Sequence, residues 1–217
     1  LSIQTKNYND SIYFLNKCLE VNSNHANSNQ NLGFVWLEMG DYKKSMHFFN
    51  KAIEIEPNHV DANFNLGNVY KQLRNYKKAQ EQYEKTIKIL PNNPRAYNNL
   101  ANVHKAQGNF ADAINCYSKA IKLQPNHARA HHNLGNTYNQ LGDFSKAVAS
   151  FKKSFKFEPT NLESLYNISD LEKDFLDVNI KNKINTTVKS GLLSKKDKAY
   201  SSFLYAKYEF INGNLEK

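Results

Sequence analysis

Cysteine is nearly absent from this 217-residue chain: Cys18 and Cys116 are the only two, and both fall inside patterns that read as helix. That excludes a disulfide-stapled scaffold and predicts a reduced, cytoplasmic setting, in which the sequons at Asn167 and Asn185 carry no meaning. No run of 18 apolar residues exists, so no segment is expected to span a membrane. No secretory leader is visible behind Leu1. Neither a G-x-x-x-x-G-K-[ST] loop nor a G-x-G-x-x-G turn is present, which removes the common phosphate cradles. No Ser/His/Asp set sits in a strand–turn–helix context, and no catalytic residue or cofactor is assigned. His127, His131 and His132 cluster at helical spacing but lack cysteine or carboxylate partners. They read as solvent-facing repeat residues and not as metal ligands.

Proline is scarce too, and its placement is informative. Of five prolines, four stand at Pro57, Pro91, Pro125 and Pro159, each 34 residues after the last. Other residues keep the same beat: Leu32-Gly33, Leu66-Gly67, Leu100-Ala101 and Leu134-Gly135; Tyr42, Tyr76, Phe110 and Phe144; Ser45, Ala79, Ala113 and Ala147; Phe49, Tyr83, Tyr117 and Phe151. A fixed period of this length means one structural unit copied in tandem, each copy burying its apolar face on the next. With Ala26 as position 1, the units are 26–59, 60–93, 94–127 and 128–161.

Each unit predicts two helices. In 94–127, Tyr97, Leu100, Ala101 and His104 form one stripe, and Phe110, Ala113, Ile114, Tyr117, Ala120 and Ile121 form a second. Gly108 separates them as a left-handed helix stop, with Asn109 as the following N-cap, and Pro125 closes the unit. Unit 60–93 places Arg74 at the glycine position, where a left-handed arginine costs about 1 kcal/mol. Gly33, Gly67, Ala101 and Gly135 lie where two helices must approach closely, beside the large rings of the second helix.

These residues resemble the tetratricopeptide repeat. The resemblance covers 26–161 closely and 7–24 as half a unit, with Tyr8, Ser11, Leu15 and Cys18 one period before Tyr42, Ser45, Phe49 and Ala52. It implies an all-α fold, a right-handed α-solenoid of helix–turn–helix repeats. Departures are Trp36 and His104 in place of tyrosine, and Thr86 and Ser154 in place of alanine; these loosen local packing without changing the fold. The domain reading is a partial repeat over 1–25, four repeats over 26–161, and a divergent helical segment over 162–217. In that last segment the period fails after Asn161. Helices are expected from Leu165, over about 178–189, and over about 196–211 with Ser194 as N-cap. It is read as a capping unit or as a segment similar to the bridge of bacterial repeat-containing sulfotransferases. The chain is expected to be a fragment, opening in the second helix of a unit and closing just after Gly213-Asn214.

In this repeat type the first helices line the inner, concave surface. Position 6 reads Asn31, Asn65, Asn99, Asn133 and, in phase, Asn167; position 9 reads Phe34, Asn68, Asn102 and Asn136. An asparagine amide offers two donors and an acceptor in one plane and can pair with a peptide group. A ladder of them can hold an extended segment by its backbone, and position 6 resembles the ladder of O-linked N-acetylglucosamine transferase. Chance alignment in an asparagine-rich chain, or bonding between units, is the alternative. Arg95, Arg129, Lys71 and Lys105 add positive charge to the same surface and would favour acidic segments. A clamp for a terminal carboxylate fits less well, because Phe64 and Asn133 occupy its lysine and second arginine positions.

The net charge of +9 favours an anionic partner. The lysines are interspersed with glutamate through the helices, which reads as a solvated face, with nucleic-acid binding the minority reading. The expected function is a non-enzymatic scaffold for extended protein segments. The alternative is the substrate-presenting or assembly arm of a sulfotransferase or glycosyltransferase whose catalytic domain lies outside this chain. The partner's identity and the oligomeric state stay open.

Overall fold

A computed structural model of the chain describes residues 7–172 and 175–213. Among these, twelve helices follow one another with no strand: α1 Tyr8–Val21, α2 Ala26–Glu38, α3 Tyr42–Ile55, α4 Val60–Gln72, α5 Tyr76–Ile89, α6 Pro94–Ala106, α7 Phe110–Leu123, α8 Ala128–Gln140, α9 Phe144–Phe157, α10 Leu162–Leu171, α11 Val178–Lys189 and α12 Lys195–Ile211. They divide into two units, residues 1–109 and 110–217. Asn214 and Leu215, part of the turn read at the chain's end, lie outside the described residues.

Helix ends follow the local chemistry. Asp41, Asn75 and Asp143 cap α3, α5 and α9, each accepting a backbone N–H three residues on. These caps hold the Asp41 and Asp143 carboxyls below the usual carboxylate range. For Asp41 the main cause is the backbone N–H of Lys44; for Asp143 it is the Lys146 ammonium and then its N–H. Arg74 has φ 56°, against 80° for Gly40 at the same register, so the expected left-handed arginine is there.

The core of each unit is built on small-against-large contacts. In the first unit, a Cβ added to Gly33 would lie 2.6 Å from the Phe49 ring, and one added to Gly67 would lie 2.8 Å from Tyr83. In the second, a Cβ on Gly135 would lie 2.7 Å from Phe151. At these three positions a methyl would need space the ring fills, whereas the equivalent Ala101 carries one and is buried. Thr86 and Ser154, the departures from alanine, are fully buried and satisfied: the Thr86 hydroxyl donates to the Gln82 carbonyl, and Ser154 accepts from Ser164. Trp36 and His104 are less well served. The Trp36 Nε1 and the His104 Nδ1 are buried without a hydrogen-bond partner, which is where the loosening falls. A lysine ammonium eight residues further on covers the position-11 ring in three repeats: Lys44 on Trp36 at 3.9 Å, Lys78 on Tyr70 at 5.4 Å, and Lys146 on Tyr138 at 5.4 Å.

Two of the three histidines, His131 and His132, are buried and not solvent-facing, and the half-buried His127 is a helix cap. His127 is the N-cap of α8, as His25 and His59 are of α2 and α4. In each the ring Nδ1 accepts a backbone N–H, and His59 uses its other nitrogen to donate to the Asn27 carbonyl oxygen at 3.0 Å. His131 and His132 are 4% and 8% exposed. His131 stands at a core position, where its Nε2 donates to the Pro125 carbonyl at 3.0 Å. Burial pushes its pKa below the ordinary histidine value. Among the described residues no three His, Cys, Asp or Glu side chains are grouped to hold a metal ion.

The residue signature stops after Asn161, but the helix spacing continues. α10 begins 34 residues after α8, α11 begins 34 after α9, and α12 begins 33 after α10. What changes is the packing. Lys181 and Asn185 of α11 occupy the positions of the small residue and the large ring in earlier second helices, so α11 cannot interdigitate with a first helix in the same way. Both turn to α12 instead: Lys181 pairs with Glu209 at 2.6 Å, and Asn185 accepts from the Tyr205 hydroxyl. α12 packs on α10, and the two run parallel. Asp197, near the start of α12, accepts the N–H of Leu162 at 3.2 Å, while Lys207, near its end, donates to the Ser169 carbonyl at 2.7 Å and pairs with Asp170 at 2.6 Å. A further ion pair, Lys196 to Glu163 at 2.6 Å, joins the starts of the two helices. The core here is Leu162, Leu165, Ile184, Leu193 and Leu204 with Phe155 and Leu176.

Candidate functional site

Consecutive first helices carry asparagine at the same height, and in the first unit these amides meet. The Asn68 carbonyl oxygen accepts from the Tyr83 hydroxyl at 2.8 Å and from the Asn99 amide at 2.9 Å. The Asn68 amide donates to Asn65 at 3.2 Å, and Asn98 donates to Asn99 at 3.1 Å. Tyr83 is fully buried, and that burial raises its pKa, with the asparagine contact acting the other way. Asn65 is buried, Asn68, Asn99 and Asn102 are half-buried, and Asn31 is exposed.

The second unit repeats the spacing with another partner. The Asn167 amide donates to the Asn136 oxygen at 3.4 Å, and the Asn136 amide lies 2.9 Å from Nε2 of His132. His132 Nδ1 is 2.7 Å from the Ser164 hydroxyl, which donates onward to Ser154 at 3.0 Å. Glu163 approaches His132 Nε2 at 3.7 Å while holding Lys196. Both ring nitrogens of His132 are thus engaged, Nδ1 with Ser164 and Nε2 with Asn136.

Both links join position 9 of one repeat to position 6 of the next, 31 residues apart. Bonding between units is therefore how part of the ladder is used. The amides of Asn68, Asn99, Asn136 and Asn167 are engaged with other side chains. Asn31 has Phe34 at position 9 instead, and both line an apolar cleft of about 510 Å³ between α1 and α2 with Tyr8, Phe14, Leu15 and Val35. Asn133 is half-buried on α8.

The cations differ from one another. Arg95 and Arg129 are exposed, and the Arg95 guanidinium lies 4.7 Å over the Phe64 ring. Lys71 on α4 and Lys105 on α6 occupy equivalent places on neighbouring first helices and are half-buried. Burial lowers the pKa of both. Among the described residues neither has a carboxylate within ion-pair distance. Their register placed them on this face in the sequence, but their desolvation was not legible there, because it depends on the neighbouring helix.

Two family models described as tetratricopeptide repeat match the chain, over residues 37–103 and 93–157. No curated protein matches it. Solved structures similar to it include pilF of Pseudomonas aeruginosa, at 23% identity and TM-score 0.71, covering 87% of this chain and 85% of that one. MamA from Desulfovibrio magneticus RS-1 matches at 23% identity and TM-score 0.65, covering 72% and 88%. YrrB, described as a repeat protein with an unusual peptide-binding site, matches at 18% identity and TM-score 0.61, covering 92% and 93%.

Proposed function

Because the chain belongs to the tetratricopeptide repeat family, we propose that it is a non-enzymatic protein-interaction scaffold whose first-helix face binds extended, acidic protein segments. The observation that carries this reading is the pair Lys71 and Lys105, desolvated and without a carboxylate of their own. A partly buried cation gains most from an incoming carboxylate, because the water it would lose is already displaced. Arg95 extends the charge, and Asn65, Asn68, Asn99 and Asn102 supply amides for a peptide backbone. In the second unit Asn133, Asn136 and Arg129 offer the same chemistry.

The reading is tested by calorimetric titration with an extended peptide of alternating Asp and Gly, which has charge and backbone but no apolar side chain. Wild type should bind it, and Lys71→Ala with Lys105→Ala should weaken binding about tenfold or more, the range of two lost charge-assisted contacts. Unchanged affinity in the double variant would overturn it. The reading as a transferase arm has less support: the α10–α12 layout that resembles a sulfotransferase bridge follows from the repeat spacing alone.

A further inference from the structure

We propose a second docking site, in the cleft between α9 and α11, for a short peptide that presents an apolar side chain flanked by carboxylates. It is independent of the first-helix face and lies wholly in the second unit. The cleft has a volume of about 680 Å³, and the partly exposed Phe175 and Ile180 form its floor over the buried Phe155 and Ile168. Its origin is the divergence already described. Lys181 and Asn185 tie α11 to α12, so α11 does not interdigitate with a first helix as earlier second helices do; Ile184 reaches the core, while Phe175 and Ile180 stay partly exposed.

The rim selects the ligand. Among the described residues the lining holds Lys152, Lys156 and Lys183 and no carboxylate. Lys152 is neutralised by Glu172 at 2.7 Å and rests 5.3 Å from the Phe175 ring. Lys156 and Lys183 have no ion pair among the described residues, and the charge felt between Lys183 and Asp177 is only a minor influence on that carboxyl. Thr186 and Thr187 spend their hydroxyl protons on their own helix, donating to the Asn182 and Lys183 carbonyls. Their oxygens can still accept from a backbone N–H. An apolar floor with unpaired cations at its edge is complementary to a hydrophobic residue between acidic ones. The cleft is open along one side, which suits a peptide whose backbone stays wet better than an acyl chain that needs enclosure.

The test uses the whole chain and a fluorescent peptide alternating Leu and Glu, with a Leu/Lys peptide as control. Wild type should bind the first and not the second. Lys156→Glu with Lys183→Glu, two exposed positions, should weaken it by about tenfold or more with an unchanged circular dichroism spectrum. Ile180→Asp should do the same through the floor, while Lys71→Ala with Lys105→Ala, which removes acidic-peptide binding on the first-helix face, should leave binding that is sensitive to the Lys156/Lys183 reversal in place. A spin label on the peptide should broaden the amide signals of Thr186 and Thr187. Equal affinity in the charge-reversed variant, or loss only in the Lys71/Lys105 variant, would overturn the site. The second result would assign the peptide to the first-helix face instead.

Discussion

Asn68 is the residue with most at stake, because one carbonyl oxygen serves both a buried phenol and the next repeat's amide. Asn68→Ala should cost roughly 1–3 kcal/mol by leaving the Tyr83 hydroxyl unsatisfied. Tyr83→Phe in the same background should recover part of that loss, and a double-mutant cycle by urea denaturation measures the coupling. Gly67→Ala sets two effects against each other. Alanine favours a helix by about 1 kcal/mol, but its Cβ would press on the Tyr83 ring, and overpacking costs about 1–3 kcal/mol. Net destabilisation is expected, whereas Arg74→Gly should gain roughly 1 kcal/mol by relieving the left-handed turn. His131 gives a pH signature. Its folded-state pKa is depressed, so its contribution is complete above the unfolded value of about 6.5 and is lost as pH falls through the folded one. His131→Asn matches Asn63, which donates to the Pro57 and His59 carbonyls from the same position. The variant should show a smaller fall in urea midpoint between about pH 7 and pH 5.5 than wild type.

At the scale of the helix, the caps show what a sequence can and cannot disclose. Gly108, Ser194 and the small positions were legible because backbone sterics and ring volume force the residue type there. The histidine caps were not, since a ring nitrogen that accepts an N–H looks in sequence like any other histidine. The asparagine ladder was legible as a pattern but not as a partner: an amide that can serve a ligand can equally serve the amide one repeat away. The 34-residue spacing of α11 was hidden because its residues had changed and its helix is two residues shorter than α9, while its starting place had not moved. α10 offers a further test. Asn161 makes no side-chain capping bond, and Asp197 of α12 accepts the Leu162 N–H while also engaging Ser194 of its own helix. Asp197→Ala should therefore cost about 1–2 kcal/mol, the loss of a cap, and Asn161→Ala should cost only a few tenths. Equal losses in thermal or urea melts would place the cap at Asn161.

At the scale of the whole chain, the excess of basic residues raises the question of nucleic acid. Lysines here are spread over helices and several are spent on local partners, including Lys152 on Glu172, Lys181 on Glu209 and Lys207 on Asp170. Binding to a random DNA duplex should thus be weak, with few phosphates neutralised and a shallow dependence of log affinity on log salt. A steep slope, near that of a protein making about six or more phosphate contacts, would contradict the scaffold reading. No helix among the described residues is long and apolar enough to cross a membrane.

The bonds from Asn68 to Asn99 and from Asn136 to Asn167 give ligand binding the character of an exchange reaction. A backbone that docks on those amides must first displace one side chain from another, so the number of hydrogen bonds hardly changes. The heat released should be small for a complex of this polarity, and discrimination should come from the charges and side chains at its edges. The same swap unfastens neighbouring repeats. A bound segment would then be expected to increase amide hydrogen exchange at α4 and α6 locally, even as it raises the overall melting temperature.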